Sequence, residues 1–291
     1  MTNILFVVNP ISGDKDKEEL LSKVHSWANS SDQQIETWKT TGEDDSAKLK
    51  EQIDQHQPDS IVAIGGDGTL MLCADLLKHT GTPLGLIPGG SANGMATELG
   101  IPEDVDEALK IIGAGHSIDA DMLSFNGGED HGLHISDVGM NANLVQEFEE
   151  GERRGFLGYA QGVISQLKNP EQFQARLLLD QKEIKASCYM VAFANASRYG
   201  TGALLTKEGK LDDGLFEVYV LKELNLAGIA GQFLDILPED QEYFDVYQVS
   251  TAEVILDQPQ SFQIDGELKP ETSSVSVEVV PGCLKLIVPG E

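Results

Sequence analysis

Basic residues are scarce in this chain: 20 Lys plus Arg stand against 48 Asp plus Glu, a formal net charge of −28. That deficit removes the long-range attraction that draws proteins to nucleic acid or to an anionic bilayer. No nucleic-acid partner is expected, and any membrane contact must be local. A solvated acidic surface suited to a salty interior accounts for the charge, with binding of divalent cations as the second reading. Cysteine is equally thin. Cys73, Cys188 and Cys283 are odd in number, far apart and in no C-x-x-C spacing, which excludes a disulfide framework and a zinc site and fits a reducing cytoplasm. The six histidines form no metal-ligand spacing, and His131 and His134 read as lining a strand or turn. Long apolar runs are missing too, since none approaches the roughly 20 residues of a membrane-spanning helix. Met1-Thr2-Asn3 leads directly into Ile4 to Val8, too short and without a basic start for a signal segment. The expectation is a cytoplasmic protein with no transmembrane anchor.

What is present is ordinary globular material: 291 residues, 41% hydrophobic and 23% charged, enough for two domains or one large one. From residue 1 to about 120, apolar runs alternate with segments of helical period. Ile4 to Val8, Ile35 to Trp38, Ile61 to Ile64 and Leu84 to Ile87 read as strands. Glu18 to Trp27, Ala47 to His56, Leu70 to Leu77 and Val105 to Ile112 read as helices. This βαβα rhythm implies a parallel sheet covered by helices, with ligands bound beyond the carboxyl ends of the strands. After about residue 122 the texture turns β-rich. Arg176 to Leu179, Ser187 to Phe193, Leu215 to Leu221, Glu253 to Leu256, Ser261 to Ile264, Ser274 to Val280 and Leu284 to Val288 read as strands. Amphipathic helices at Phe156 to Leu167 and Leu224 to Leu237 interrupt them, and core packing is their first reading, ahead of lipid contact. Domains 1–122 and 123–291 are therefore expected, the second mainly antiparallel.

Three glycine-rich loops follow strands of the first half. Gly65-Gly66-Asp67-Gly68-Thr69 lies between a strand and a helix, where glycines let the backbone aim N–H groups at an anion and the helix start adds partial positive charge. Asp67 would repel phosphate unless a cation intervenes, which makes it a candidate for Mg²⁺, held directly or through water. A glycine turn capped by Asp or Thr is the plain alternative. Asn9-Pro10-Ile11-Ser12-Gly13 offers N–H groups and the Ser12 hydroxyl, or is simply a turn out of a strand. In Pro88-Gly89-Gly90-Ser91-Ala92-Asn93-Gly94 the glycines permit close approach while Ser91 and Asn93 supply hydrogen bonds. Neither the Walker P-loop nor the G-x-G-x-x-G dinucleotide pattern occurs at these strand ends.

With these motifs in order, the chain resembles the diacylglycerol kinase catalytic family, which includes bacterial lipid kinases and sphingosine kinases. The resemblance spans nearly the whole sequence and rests on Asn9 to Gly13, Thr41 with Ala47, Gly65 to Thr69, Pro88 to Asn93 and Ile118-Asp119. It continues through Asn195 to Gly202, Leu211 to Gly214 and Asp265-Gly266-Glu267. It implies an α/β fold: an N-terminal doubly wound parallel-sheet nucleotide domain like that of NAD kinases, and a C-terminal mainly antiparallel β-sandwich domain, with the active site between them. It implies ATP held by the three loops and Thr41, Glu267 as the base that deprotonates an acceptor hydroxyl, and Asp119 in a water and Mg²⁺ network behind Asp67. A structural Mg²⁺ would take the Asp213 carboxylate and the carbonyls of Lys210 and Leu215. The implied partner is a lipid substrate at a membrane surface, reached from the inner face, and a homodimer is allowed. From the residues alone, Asp265-Gly266 is as readily a hairpin turn, Asp212 to Gly214 an acidic turn, and Asp119 a cap.

Three residues at two places depart from the family pattern. Met71-Leu72 stands where relatives often carry Asn-Glu, and Gly94 where many bacterial relatives carry an acid. NAD kinase, which shares GGDGT, and a lipid- or nucleotide-binding relative that has lost catalysis are the alternative functions.

Overall fold

The computed structural model describes residues 2–13, 16–31, 33–91, 93–140, 171–196, 198–199, 203–204, 209–223 and 244–290. The helices expected at 156–167 and 224–237 and part of the segment 195–202 lie outside them. The chain divides into two compact units, Met1–Ala120 with Gly282–Glu291, and Asp121–Pro281.

The first unit alternates strands and helices in the order β1 (Asn3–Val8), α1 (Lys17–Ser30), β2 (Gln34–Lys39), α2 (Asp45–His56), β3 (Ser60–Gly65), α3 (Asp67–Leu77), β4 (Leu84–Pro88), α4 (Gly94–Glu98) and α5 (Val105–Ala114). All four strands run parallel in the spatial order β2-β1-β3-β4. β3 and β4 are buried along their whole length, which is why they read as unbroken apolar runs and not as alternating ones. Helix α1 packs beside α5 and α2 beside α3. The helix starts follow local chemistry: Asp16 caps α1 by accepting the N–H groups of Glu18 and Glu19, and Asp104 caps α5 through Glu107. Helix α4, a single turn opening at the third glycine loop, has no periodic signature and is not expected from sequence.

Along the chain, β5 (Ser117–Phe125) leads into the second unit, where β6 (Asp130–Gly132), β7 (Ile135–Gly139), β8 (Phe173–Leu179), β9 (Lys182–Cys188) and β10 (Met190–Ala194) follow. After them come β11 (Arg198–Tyr199), β12 (Ala203–Leu204), β13 (Phe216–Leu221), β14 (Phe244–Val249), β15 (Thr251–Ile264) and β16 (Glu267–Ile287). Pairing here is antiparallel: β14-β13-β10-β7-β15-β16 form a continuous path, and β8 joins β15 to β9. Strand β8 alternates buried and exposed residues, as a strand with one face on a core must. That core contains Phe125 and Phe193, edge-on at 6.1 Å, with Phe173, Phe216 and Phe262.

Several expected strands change. The run Ser187 to Phe193 is two strands broken at Tyr189, since β9 pairs with β8 while β10 pairs with β7 and β13. Glu253 to Leu256 and Ser261 to Ile264 are one strand, β15, whose register shifts between Ile255 and Gln260. Pro259, unable to donate to a ladder, sits in that irregular stretch and hides the continuity. Ser274 to Val280 and Leu284 to Val288 likewise merge into β16, which passes through Pro281 and Gly282. The last ten residues belong to the first unit and not to the β-rich one, because Leu286 pairs in parallel with Leu84 and Val288 N–H bonds His116 O at 2.9 Å. Among the described residues no helix is long and apolar enough to cross a membrane.

Candidate active site

The loops after β1, β3 and β4 meet because those three strands are neighbours pointing the same way. Asn9 N–H bonds Ile64 O at 3.0 Å and Gly89 N–H bonds Gly65 O at 2.8 Å, so each loop is tied to the next as it leaves the sheet. Their approach is backbone on backbone. A Cβ on Gly90 would lie 2.5 Å from Gly66 Cα, and one on Gly13, whose φ is +57°, would lie 2.6 Å from Gly89 O. Glycine at these two positions is therefore required by loop-to-loop packing before any ligand enters the account.

Much of the loops' polar inventory is spent on holding their own shape. Asn93, in a left-handed conformation, accepts Gly90 N–H at 2.8 Å and donates to Gly90 O at 3.1 Å. The Ser12 hydroxyl donates to Asn9 O at 3.0 Å, and Asn9 Oδ1 accepts Ile11 N–H at 3.2 Å. Ser12 and Asn93 thus brace loops, a task separate from the ligand contacts that the sequence suggests for them. Ser91 is exposed. Asp67 accepts the N–H groups of Gly94 and Met95, one on each carboxylate oxygen and each at 2.9 Å. Lone pairs remain on both oxygens, so a cation is compatible with that role.

A cavity of about 290 Å³ adjoins the first two loops, lined among others by Asn9, Ile11, Thr41, Gly68, Thr69 and Leu72. Among the described residues the buried Thr69 hydroxyl has no hydrogen-bond partner, the kind of orphan that a phosphate oxygen could satisfy. Leu72 makes part of the wall apolar. Thr41 accepts from Lys48 Nζ at 2.9 Å and bonds Asp45 through both its N–H and its hydroxyl at 2.8 Å, while Gly42 N–H adds a further bond to Asp45. Desolvation pushes the Asp45 carboxyl up, but these hydrogen bonds and the Lys48 ammonium outweigh it and hold the pKa below the ordinary carboxylate value.

Sequence reasoning missed Lys17. Its Nζ donates to Ser12 O at 2.7 Å and to Gly89 O at 3.1 Å, joining the first loop to the third. The available signal was a lysine in the first helical turn after a glycine loop, in a chain with few cations.

In the second unit, Asp265 and Gly266 have φ of +49° and +87° between the paired residues Ile264 and Glu267. They form a two-residue hairpin turn of the type that Asp-Gly favours. Asp265 does more than turn: its carboxylate accepts Leu133 N–H at 2.6 Å and His134 N–H at 3.0 Å. Gly266 N–H bonds Gln263 Oε1 at 2.6 Å, and Gln263 in turn donates to the buried Asp137 and to Ile135 O. Glu267 emerges from this braced turn with its side chain 70% exposed, 3.7 Å from Lys269. Burial lowers the Lys269 pKa, but the hydrogen bond and charge of Asp130 together with Glu267 raise it further, for a net rise.

Asp213 Oδ1 accepts Leu215 N–H at 3.1 Å, the local turn that the residues alone allow, and Lys210 is exposed beside it. Asp121, which drew no attention in the sequence, is buried; it accepts Gly214 N–H at 2.7 Å and donates its own N–H to Leu211 O at 2.6 Å. Among the described residues no group of three or more His, Cys, Asp or Glu could hold a metal. The expected Mg²⁺ set of one carboxylate and two carbonyls is oxygen throughout, the chemistry a hard cation takes. Asp119 stands within β5 and not in a loop, 69% exposed, with Lys285 Nζ at 3.7 Å.

Family comparison agrees with this architecture. The diacylglycerol kinase catalytic domain matches residues 3–125, and the YegS C-terminal NAD kinase beta sandwich-like domain matches residues 135–288. A protein of Xanthomonas euvesicatoria pv. vesicatoria named "Probable lipid kinase YegS-like" is 30% identical over 249 residues, 80% of this chain and 79% of its own. One of the same name from Stenotrophomonas maltophilia is 28% identical over 286 residues, 94% of this chain and 92% of its own. In fold, a diacylglycerol kinase crystal structure from Bacillus anthracis str. Sterne matches with a TM-score of 0.78 at 20% identity, covering 99% of this chain and 97% of its own. The chain belongs to the diacylglycerol kinase catalytic family, in its YegS-like lipid kinase branch, and is a kinase.

Proposed function

We propose that this protein transfers the terminal phosphate of ATP, with Mg²⁺, to the hydroxyl of a lipid of diacylglycerol, sphingoid or phospholipid type. The observation that carries this reading is the stack of three glycine loops at adjacent strand ends beside a cavity lined by Thr69, whose buried hydroxyl has no partner among the described residues. The loops Asn9 to Gly13 and Gly65 to Thr69, Gly90, Ser91 and Asn93 of the third loop, and Thr41 bind and orient the triphosphate. Glu267 accepts the proton of the lipid hydroxyl as the oxygen attacks phosphorus. Mg²⁺, when bound, neutralises charge on the phosphates. Asp67 is the carboxylate to hold it there, Asp119 joins the same acidic network, and Asp213 with the Lys210 and Leu215 carbonyls offers a second, structural position. The lipid is met at the inner surface of a membrane by a cytoplasmic protein that docks peripherally.

The test is incubation with labelled ATP, Mg²⁺ and a total lipid extract, beside a parallel reaction with NAD. Labelled lipid from the wild type and none from Glu267→Gln is the expected result. Undiminished lipid phosphorylation by Glu267→Gln removes that residue from the mechanism. Labelled NADP without labelled lipid replaces the reading with NAD kinase, and ATP binding with no turnover makes the chain a binding relative.

A further inference from the structure

We propose that Lys17 is a positioning residue that clamps the first glycine loop to the third and sets the direction of their peptide groups, an inference resting on these loops being the nucleotide grip. Lys17 opens α1 and is half-buried, and its ammonium donates to carbonyl oxygens of two different loops, Ser12 O at 2.7 Å and Gly89 O at 3.1 Å. In a trans peptide the N–H points opposite to the C=O. Holding the Ser12 carbonyl against Lys17 therefore turns the Gly13 N–H to the other side. Holding the Gly89 carbonyl does the same for Gly90, whose N–H reaches Asn93 Oδ1 at 2.8 Å.

The ammonium also answers an electrostatic problem. Two carbonyl oxygens converge on one point, and with no cation between them their partial negative charges would drive the loops apart. Gly13 has no room to absorb a displacement, since a Cβ there would already be 2.6 Å from Gly89 O. A clamp at this point fixes the spacing of the two loops before a nucleotide arrives, which lowers the ordering cost of binding. A lysine suits the task because a single ammonium on a flexible stem carries three donors and can serve acceptors from both loops at once.

The experiment compares wild type, Lys17→Met and Lys17→Arg as full-length proteins. Backbone hydrogen exchange is followed without ligand in segments 9–13 and 88–95, and ATP and ADP binding is measured by calorimetry. Lys17→Met is expected to exchange about tenfold faster in both loops, with β1 and β3 unchanged, as loss of charge-assisted hydrogen bonds implies. It should weaken ATP and ADP by the same factor, about tenfold, and raise KM more than it lowers kcat. Lys17→Arg should recover most of both effects. Unchanged loop exchange overturns the clamp, and if ATP alone is weakened Lys17 is a direct contact to the terminal phosphate. Faster exchange throughout the first unit also overturns it, leaving a general stability role. If the wild type binds no nucleotide, the kinase reading fails while the exchange comparison still decides the clamp.

Discussion

Asp67 Oδ2 accepts the backbone N–H of Gly94 at 2.9 Å, so the acid of the second glycine loop caps the short helix on which the third loop ends. Gly94 is buried and contributes its N–H to this bond. By binding backbone at Gly94 and Met95, Asp67 has a structural task in addition to any cation.

That double task separates two substitutions. Asp67→Ala removes both acceptors and should cost about 1–3 kcal/mol of unfolding free energy, with faster exchange at Gly94 and Met95. Asp67→Asn keeps one acceptor oxygen and should lose less. Urea denaturation with hydrogen exchange measures this; unchanged stability and exchange in the alanine variant would mean that the two bonds hold nothing.

Glycines of the loops divide by what surrounds them. Gly90→Ala places a methyl 2.5 Å from Gly66 Cα and should cost about 1–3 kcal/mol and most nucleotide affinity. Gly68→Ala meets nothing within 4 Å and sits in α3, so the fold should be held or slightly strengthened. Lost ATP binding in a fully folded Gly68→Ala protein would show that a ligand approaches this backbone closely. Retained binding would place the ligand elsewhere in the cavity.

Leu72 lines the cavity that Asp45 also faces. Leu72→Glu adds a second carboxylate there and should weaken metal-free ATP about tenfold by like-charge repulsion, with a smaller loss when Mg²⁺ is present. Calorimetry with and without Mg²⁺ reads the difference. Equal losses in both conditions would show a steric effect.

Stability should fall in acid through Asp180. Desolvation raises its pKa, but hydrogen bonds from the hydroxyls and N–H groups of Ser250 and Thr251 outweigh this and leave it lowered. A lowered folded pKa stabilises above the unfolded value, about 3.9 for Asp, and the contribution disappears as pH drops through the folded value. Asp180→Asn should therefore be less stable than wild type at pH 7, with the gap closing below about pH 4. A gap of constant size across that range would assign the loss to packing.

The parallel strands and their helices were legible because β3 and β4 are buried over their whole length and α5 carries a clean apolar stripe between Asp104 and Gly115. The chain's own order also places glycine loops after β1, β3 and β4, and so at one edge of the sheet. β15 and β16 were read as fragments because Pro259 and Pro281 look like ends when the sequence is scanned locally. Helix α4, Lys17 and Asp121 escaped because a single turn has no period and one charged residue has no pattern. Asp265-Gly266 was legible as a turn, but the bonds from Leu133 and His134 that brace it come from residues some 130 positions away.

By itself, then, the sequence determined which segments become strands and helices in the first unit and where loops able to face an anion occur, since periodicity and glycine act over a few residues. Tertiary structure alone decided which side chains hold those loops, that Ser12 and Asn93 brace while Lys17 and Asp67 tie, and that the last ten residues return to the first unit. The physical reason is range: a hydrogen bond needs its partners within about 3 Å, and only the folded backbone brings residues 12, 17, 67, 89 and 94 to that distance.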